Sequence, residues 1–295
     1  MNLSNLRGSL VALVTPFDQE GNPDFHRLGQ LIDWHLTAGT DGIVILGTTG
    51  ESSTMTQEED DAVCKFTVER VSGRIPVIAG SGSNCTQSML ERSLKFQELG
   101  ADGLLLIAPY YNKTNEEGMA RHFLTIADQV EIPCILYNVP GRTGCSIPVE
   151  VVERLARHPH ICGIKEASGN LGYAMEVARL LSDDFVMYSG NDDMTVPLLS
   201  IGASGVISVL ANILPTETHR MVMRYLEGNP AGAASIQLGY LELIHNLFSE
   251  VNPIPVKTAL SLMGKCESHM RLPLYDMSES ARKTLAVSMR KAQLL

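Results

Sequence analysis

From residue 10 onward, short apolar runs alternate with longer stretches whose apolar positions recur every three or four places. The first kind reads as buried strands and the second as amphipathic helices. Eight strands are expected, at 10–15, 42–47, 76–80, 103–108, 134–139, from 161 through Lys165, at 185–190 and at 205–210. None alternates polar with apolar, which is the pattern of parallel strands covered on both faces. The helical stretches between them carry start signals. Asp24 precedes the first, and Thr56-Gln57-Glu58-Glu59 and Thr114-Asn115-Glu116-Glu117 read as capping boxes. Beyond about residue 225 the strand pattern stops. Ile236, Tyr240, Leu243, Ile244, Leu247 and Phe248 keep a helical stripe, and 255–263 and 279–291 read as two further helices. Eight βα units in just over 200 residues predict a (β/α)8 TIM barrel over 1–224, with a helical C-terminal region over 225–295. A doubly wound open sheet is the alternative.

Composition narrows the partners. The 295 residues carry a formal charge of -10 and no basic block, which argues against nucleic acid or an anionic membrane and for small metabolites. The six cysteines (64, 85, 134, 145, 162 and 266) are scattered, mostly in apolar runs, and form no CxxC pair. Reduced core thiols in the cytoplasm fit better than disulfides or zinc. The apolar run before Pro16 is too short for a membrane span and lacks a signal-peptide cleavage site.

In such a barrel the C-terminal ends of the strands converge on one mouth, where site residues gather. Gly163, Lys165 and Ala167 share one face of the sixth strand, so two small residues leave room around one amine. Burial drives a lysine toward its neutral, nucleophilic form, which suits a Schiff base with a ketone. An ion pair with Glu166, or an amine snorkelling from the strand end, is the structural alternative. Other strand ends deliver Thr48 and Thr49, Tyr110 and Tyr111, Tyr137 followed by Arg142, and Ile207. The turn Gly47-Thr48-Thr49-Gly50-Glu51 lacks the ending of a phosphate loop, and its N–H groups suit a carboxylate. Taken singly, Tyr137 also reads as a core tyrosine and Arg142 as a surface ion-pair partner. Asn191-Asp192-Asp193 reads as a helix N-cap, and His158 and His160 lack zinc spacing, so no metal is expected.

Four motifs now stand in order: 47–51, Tyr137-Asn138-Val139-Pro140-Gly141-Arg142-Thr143-Gly144, Gly163-Ile164-Lys165-Glu166-Ala167, and Asn252-Pro253-Ile254-Pro255-Val256-Lys257. Together they resemble the dihydrodipicolinate synthase family over essentially the whole chain. N-acetylneuraminate lyase and the sugar-acid aldolases of the wider family share the lysine and tyrosine. Arg142 and the 252–257 motif set the synthases apart. The resemblance implies a class I aldolase-type condensation of pyruvate with L-aspartate 4-semialdehyde, leading to diaminopimelate and lysine, without a cofactor. It implies an imine on Lys165 and a proton shuttle from Tyr137 through Thr49 to Tyr111. Thr48 and Thr49 are implied to hold the pyruvate carboxylate, Arg142 the semialdehyde carboxylate, and Ile207 to offer its carbonyl. Tyr111 is implied to enter a neighbouring subunit's site, in a homo-oligomer that is usually a tetramer built as a dimer of dimers. Two rival readings remain, a sugar-acid lyase of the same superfamily and a non-catalytic metabolite sensor.

Lysine-sensitive members of that family bind the effector at a subunit interface, at positions corresponding to Ser52, Ser53, Gln57, Asp60, Asn84, Ser88 and Tyr110. Position 88 is usually glutamate there, and Ser88 removes the partner of the effector's α-ammonium. Asp60 keeps a carboxylate that can accept from the ε-ammonium. Insensitivity, or weak sensitivity, to lysine is the expectation.

Overall fold

The computed structural model describes residues 3–295. Eight parallel strands close in sequence order: β1 (Gly8–Ala12), β2 (Gly42–Ile45), β3 (Val77–Gly80), β4 (Gly103–Ile107), β5 (Cys134–Asn138), β6 (Ile161–Glu166), β7 (Val186–Ser189) and β8 (Gly205–Ser208). β8 pairs back onto β1, from Gly8 opposite Gly205 to Val11 opposite Ser208. Closure excludes the open sheet. Every strand residue is buried except the half-buried Ile107, as the continuous apolar runs demand.

Between the strands lie α1 (Phe25–Ala38), α2 (Gln57–Val71), α3 (Thr86–Glu98), α4 (Glu116–Ala127), the one-turn α5 (Pro140–Thr143), α6 (Val149–Leu155), α7 (Leu171–Ala178) and α8 (Thr195–Leu199), and α9 (Pro215–Leu226) follows β8. The caps explain where they begin. Asp24 Oδ1 accepts from Arg27 N at 2.9 Å. Thr56 and Glu59 close a full capping box ahead of α2. Two expectations fail. Asn115, not Thr114, caps α4, accepting from Gly118 N at 2.9 Å. Asn191 makes no side-chain cap bond, because its neighbour Asp192 turns inward within a 3-10 turn, Asp192–Met194, ahead of α8. Except for β3 and β6, the strands also stop one to three residues earlier than the apolar runs do, since those last residues lead into the loops at the mouth.

The C-terminal region forms α10 (Pro230–Gly239), α11 (Leu241–Asn246), α12 (Ile254–Leu262) and α13 (Glu279–Lys291). The expected single stripe from Ile236 to Phe248 is broken at Tyr240 into two helices. α10 lies along α9 and α8, and α12 reaches the 3-10 turn Leu210–Asn212 beyond β8, so this region sits against the mouth. No helix among the described residues is long and apolar enough to cross a membrane. All six cysteines are free; Cys64, Cys134, Cys162 and Cys266 are buried, Cys145 is half-buried and Cys85 is exposed.

Two apolar clusters result. One fills the layer between barrel and helices. The other fills the lumen with Leu10, Val44, Ile78, Leu105, Ile135, Tyr188 and Ile207, and includes Leu3. Tyr188 Oη donates to Leu6 O at 2.7 Å, so the N-terminal residues stopper the lower mouth. A ligand must approach Lys165 from the C-terminal mouth.

Candidate active site

Lys165 stands near the end of β6, 6% exposed, on the luminal face. It is level with Tyr137 of β5 and Tyr188 of β7. Its aliphatic stem runs beside Gly190, where a built Cβ would lie 3.0 Å from Lys165 Cε and 2.6 Å from the Ala167 methyl. Only glycine leaves that passage open. Glu166 points to the other face, where Asn138 Nδ2 donates to it at 2.7 Å and Ser168 N at 2.7 Å. The Lys165–Glu166 ion pair is thereby overturned, because successive strand residues face opposite ways. Among the described residues Lys165 forms no ion pair; its Nζ instead faces the Tyr137 ring, 4.5 Å from the centroid.

Burial pulls the Lys165 pKa down to about 8; Asp192 opposes the fall and the Arg142 charge adds to it. At pH 7 roughly a tenth of the amine is then neutral, against about one part in three thousand for an ordinary lysine. Burial pushes the Tyr137 phenol the other way, upward, while Arg142 and a hydrogen bond with the Thr48 hydroxyl hold it back. An amine with an accessible neutral form thus faces a protonated phenol. This pairing suits attack on a carbonyl followed by proton transfer.

The two threonines divide their work. They form a 3-10 turn, Thr48–Gly50, beyond β2. Thr48 lines the cavity together with Tyr137, and its hydroxyl holds down the pKa of the phenol. Thr49 is buried, and its Oγ1 accepts from Asn252 Nδ2 at 2.9 Å. Of the two hydroxyls, that of Thr48 is the one that acts on the Tyr137 phenol, while that of Thr49 is turned to Asn252. Arg142, on α5, lines the same cavity and donates to the Asn252 carbonyl at 3.2 Å. The cavity holds about 350 Å³ and reaches from Tyr137 and Arg142 to Tyr110 and Ser52. Ile207 is buried in the luminal cluster with Tyr137. Tyr111 does not join them: it has φ +69° and is 91% exposed, projecting from the chain.

A family model described as the dihydrodipicolinate synthetase family matches residues 5–292. The chain belongs to that family. A 4-hydroxy-tetrahydrodipicolinate synthase of Thermoanaerobacter sp. strain X514 is 50% identical over 290 residues, covering 98% of this chain and 97% of the relative. A chloride-inhibited dihydrodipicolinate synthase of Acinetobacter baumannii, solved complexed with pyruvate, superposes with a TM-score of 0.96 at 40% identity, covering 99% of this chain and 100% of that one. The synthase of Cyanidioschyzon merolae, solved with lysine bound, gives a TM-score of 0.95 at 41% identity, covering 98% and 99%.

The effector positions implied by this family lie partly along the same cavity, with Ser52, Ser53 and Tyr110 in its wall. Behind them is an ion pair that the sequence did not suggest. Arg92 of α3 donates to Asp60 Oδ2 at 2.7 Å and to Ser52 Oγ at 2.5 Å, and Ser52 Oγ donates to Asp60 at 3.0 Å. Burial raises the Asp60 pKa to about 7 despite the Arg92 charge. One oxygen, Oδ2, of the carboxylate expected to greet an effector's ammonium is already occupied, while Oδ1 is buried without a partner. Gln57 bonds Asp61 at 2.7 Å, the Asn84 carbonyl accepts from Asn112, and Ser88 is exposed on α3.

Two further residues escaped the sequence reading. Asp192, fully buried, accepts from Ser208 Oγ at 2.5 Å, Leu210 N at 2.9 Å and Val209 N at 3.1 Å, which fixes the end of β8. It follows β7 at the mouth, so the strand-end rule applied to the other strands would have found it. Asn252 was marked by its motif but given no task. Among the described residues no group of three or more His, Cys, Asp or Glu side chains is placed to hold a metal ion.

Proposed function

We propose that this chain condenses pyruvate with L-aspartate 4-semialdehyde in the cytoplasm, through an imine on Lys165, to give 4-hydroxy-tetrahydrodipicolinate. The observation that carries the reading is Lys165 itself, a buried amine whose pKa is lowered to about 8 and which is set against the Tyr137 ring. Support also comes from relatives of that name at half identity and from the pyruvate complex of the Acinetobacter protein.

In this mechanism the Lys165 Nζ lone pair attacks the pyruvate ketone carbon, and the carbinolamine loses water to leave a protonated imine. The positive charge acidifies the methyl group; loss of one proton gives an enamine, whose terminal carbon bonds the aldehyde carbon. The new alkoxide takes a proton, and the amine of the former semialdehyde displaces Lys165 from the imine carbon, closing the ring. Tyr137 carries protons at these steps, passing them to Thr48. The N–H groups of the Thr48–Gly50 turn, with Thr49, hold the pyruvate carboxylate. Arg142 takes the semialdehyde carboxylate with its planar fork, and the Ile207 carbonyl completes the lining. Tyr111, held outward, enters the site of a second copy and receives the proton from that copy's threonine. The active form is a homo-oligomer, a tetramer arranged as a dimer of dimers. The barrel through residue 224 carries the chemistry, and the 225–295 helices support its mouth.

Borohydride trapping with pyruvate, read by peptide mass spectrometry, tests the nucleophile, and a screen of aldehyde acceptors tests the substrate. An adduct on Lys165 and turnover with the semialdehyde are expected. No adduct overturns the enzyme reading. Turnover of sugar aldehydes in place of the semialdehyde points instead to the sugar-acid lyases.

A further inference from the structure

We propose that Lys257 and Glu51 are a buried positioning pair that holds the Thr48–Gly50 turn in its pyruvate-binding shape, so that the C-terminal region is part of the substrate site. The proposal rests on the functional reading above. It starts from the turn's backbone. The turn is flanked by two non-glycine residues in the left-handed region, Leu46 at φ 57° and Glu51 at φ 56°. Such residues persist only where their surroundings over-determine them. Leu46 is held by apolar packing. Glu51 is held by charge: its Oε1 accepts from Lys257 Nζ at 2.5 Å, and both side chains are fully buried.

That pair joins α12 to the loop beyond β2, 206 residues apart. Lys257 Nζ also lies 4.3 Å from the centroid of Phe17, and the Arg271 guanidinium lies 4.7 Å from the same centroid. Arg271 N donates to Glu51 Oε2 at 3.4 Å, while its side chain grips Glu59 with two bonds of 2.6 Å. A second limb from the same segment is the Asn252 bond to Thr49, and a third anchor is Thr15 Oγ1, donating to Gly50 O at 2.7 Å. Each residue from 49 to 51 is therefore gripped from outside the loop. A buried ion pair is a poor device for stability, since apolar residues of the same volume often do as well. Its value here is geometric. The bond fixes where the Glu51 side chain ends, and with it the backbone torsions that aim the turn at the lumen.

The test compares Lys257→Met, Glu51→Gln and the double variant Glu51→Gln/Lys257→Met. Thermal unfolding is measured beside the pyruvate concentration that half-saturates borohydride labelling of Lys165. Each single variant leaves a buried charge without its counter-charge, so both are expected to unfold at lower temperature. The double variant is expected to regain most of that stability. All three are expected to need about tenfold to a hundredfold more pyruvate for half-saturation, with full labelling at saturation. A merely structural pair would let pyruvate affinity return together with stability in the double variant, and that result overturns the proposal. Wild-type half-saturation in a folded single variant overturns it as well. Should the single variants fail to fold, the double variant carries the measurement. Should it fail too, the pair serves folding alone and the proposal falls. Absence of labelling in the unmodified protein would instead overturn the imine reading on which the proposal stands.

Discussion

Lys165 and Tyr137 are register partners on adjacent strands, and the lysine Nζ lies 4.5 Å from the centre of the tyrosine ring. A ring face favours the ammonium by about 1 to 2 kcal/mol. A fall in pKa from 10.5 to about 8 means a net bias of about 3 kcal/mol against the charge, so desolvation exceeds the ring's attraction. In the proposed mechanism the ring would then favour the protonated imine.

With the Lys165 pKa at about 8, the rate of pyruvate imine trapping at limiting pyruvate should climb as pH rises through 8 and level off above it. A rate that keeps climbing past pH 10 would mean an ordinary, solvated lysine.

Stability gives a second reading of the same shift. The folded value, about 8, lies below the unfolded 10.5, so between them the unfolded chain binds more protons and stability rises with pH. Below pH 8 the cost of the buried ammonium is fully present. Lys165→Met should therefore stabilise the inactive protein by about 2 to 3 kcal/mol at neutral pH. The gain should vanish toward pH 10.5, measured as the difference in denaturant midpoint between the two proteins. A gain independent of pH would assign it to packing.

Adjacent threonines should respond differently to loss of the hydroxyl. Thr48→Val removes the partner of the Tyr137 phenol, and kcat should fall about a hundredfold or more with little change in pyruvate KM. Thr49→Val removes the Asn252 anchor, and the pyruvate KM should rise with a smaller effect on kcat. Steady-state kinetics decide it, and the reverse pattern would return the relay to Thr49.

Arg142→Ala should spare pyruvate trapping and raise the semialdehyde KM by roughly thirtyfold, the worth of one charge-assisted pair. Lost trapping with normal semialdehyde saturation would remove Arg142 from the role assigned to it.

What the sequence shows and what it hides follow from the range of the interactions. The barrel is legible because each continuous apolar run is a local signal of a doubly covered strand, and Lys165 because two small residues flank it on one face. Asp192 is hidden because three consecutive polar residues before a helix satisfy a capping pattern equally well, and only tertiary packing buries the middle one. Thr48 and Thr49 share one turn, and which of them faces Tyr137 is settled by Asn252, 203 residues away. Periodicity cannot rank them.

The Arg92–Asp60 pair belongs to the same class, joining two helices across 32 residues, and it changes the outlook for feedback control. Asp60 alone would offer a carboxylate to an incoming ammonium. Paired, its Oδ2 already accepts from Arg92 and Ser52, and with a pKa of about 7 it is only about half ionised at neutral pH. Ser88 supplies no charge. An ammonium without its anionic partner loses about 2 kcal/mol, some thirtyfold in affinity. Initial rates titrated with L-lysine, at pyruvate near its KM, should therefore show little inhibition below about one millimolar. The double change Ser88→Glu/Arg92→Leu restores one carboxylate and releases another, and should lower the half-inhibiting concentration at least thirtyfold. Strong inhibition of the unmodified protein at micromolar lysine would mean that the effector reaches Asp60 despite Arg92, and the expected insensitivity would be overturned.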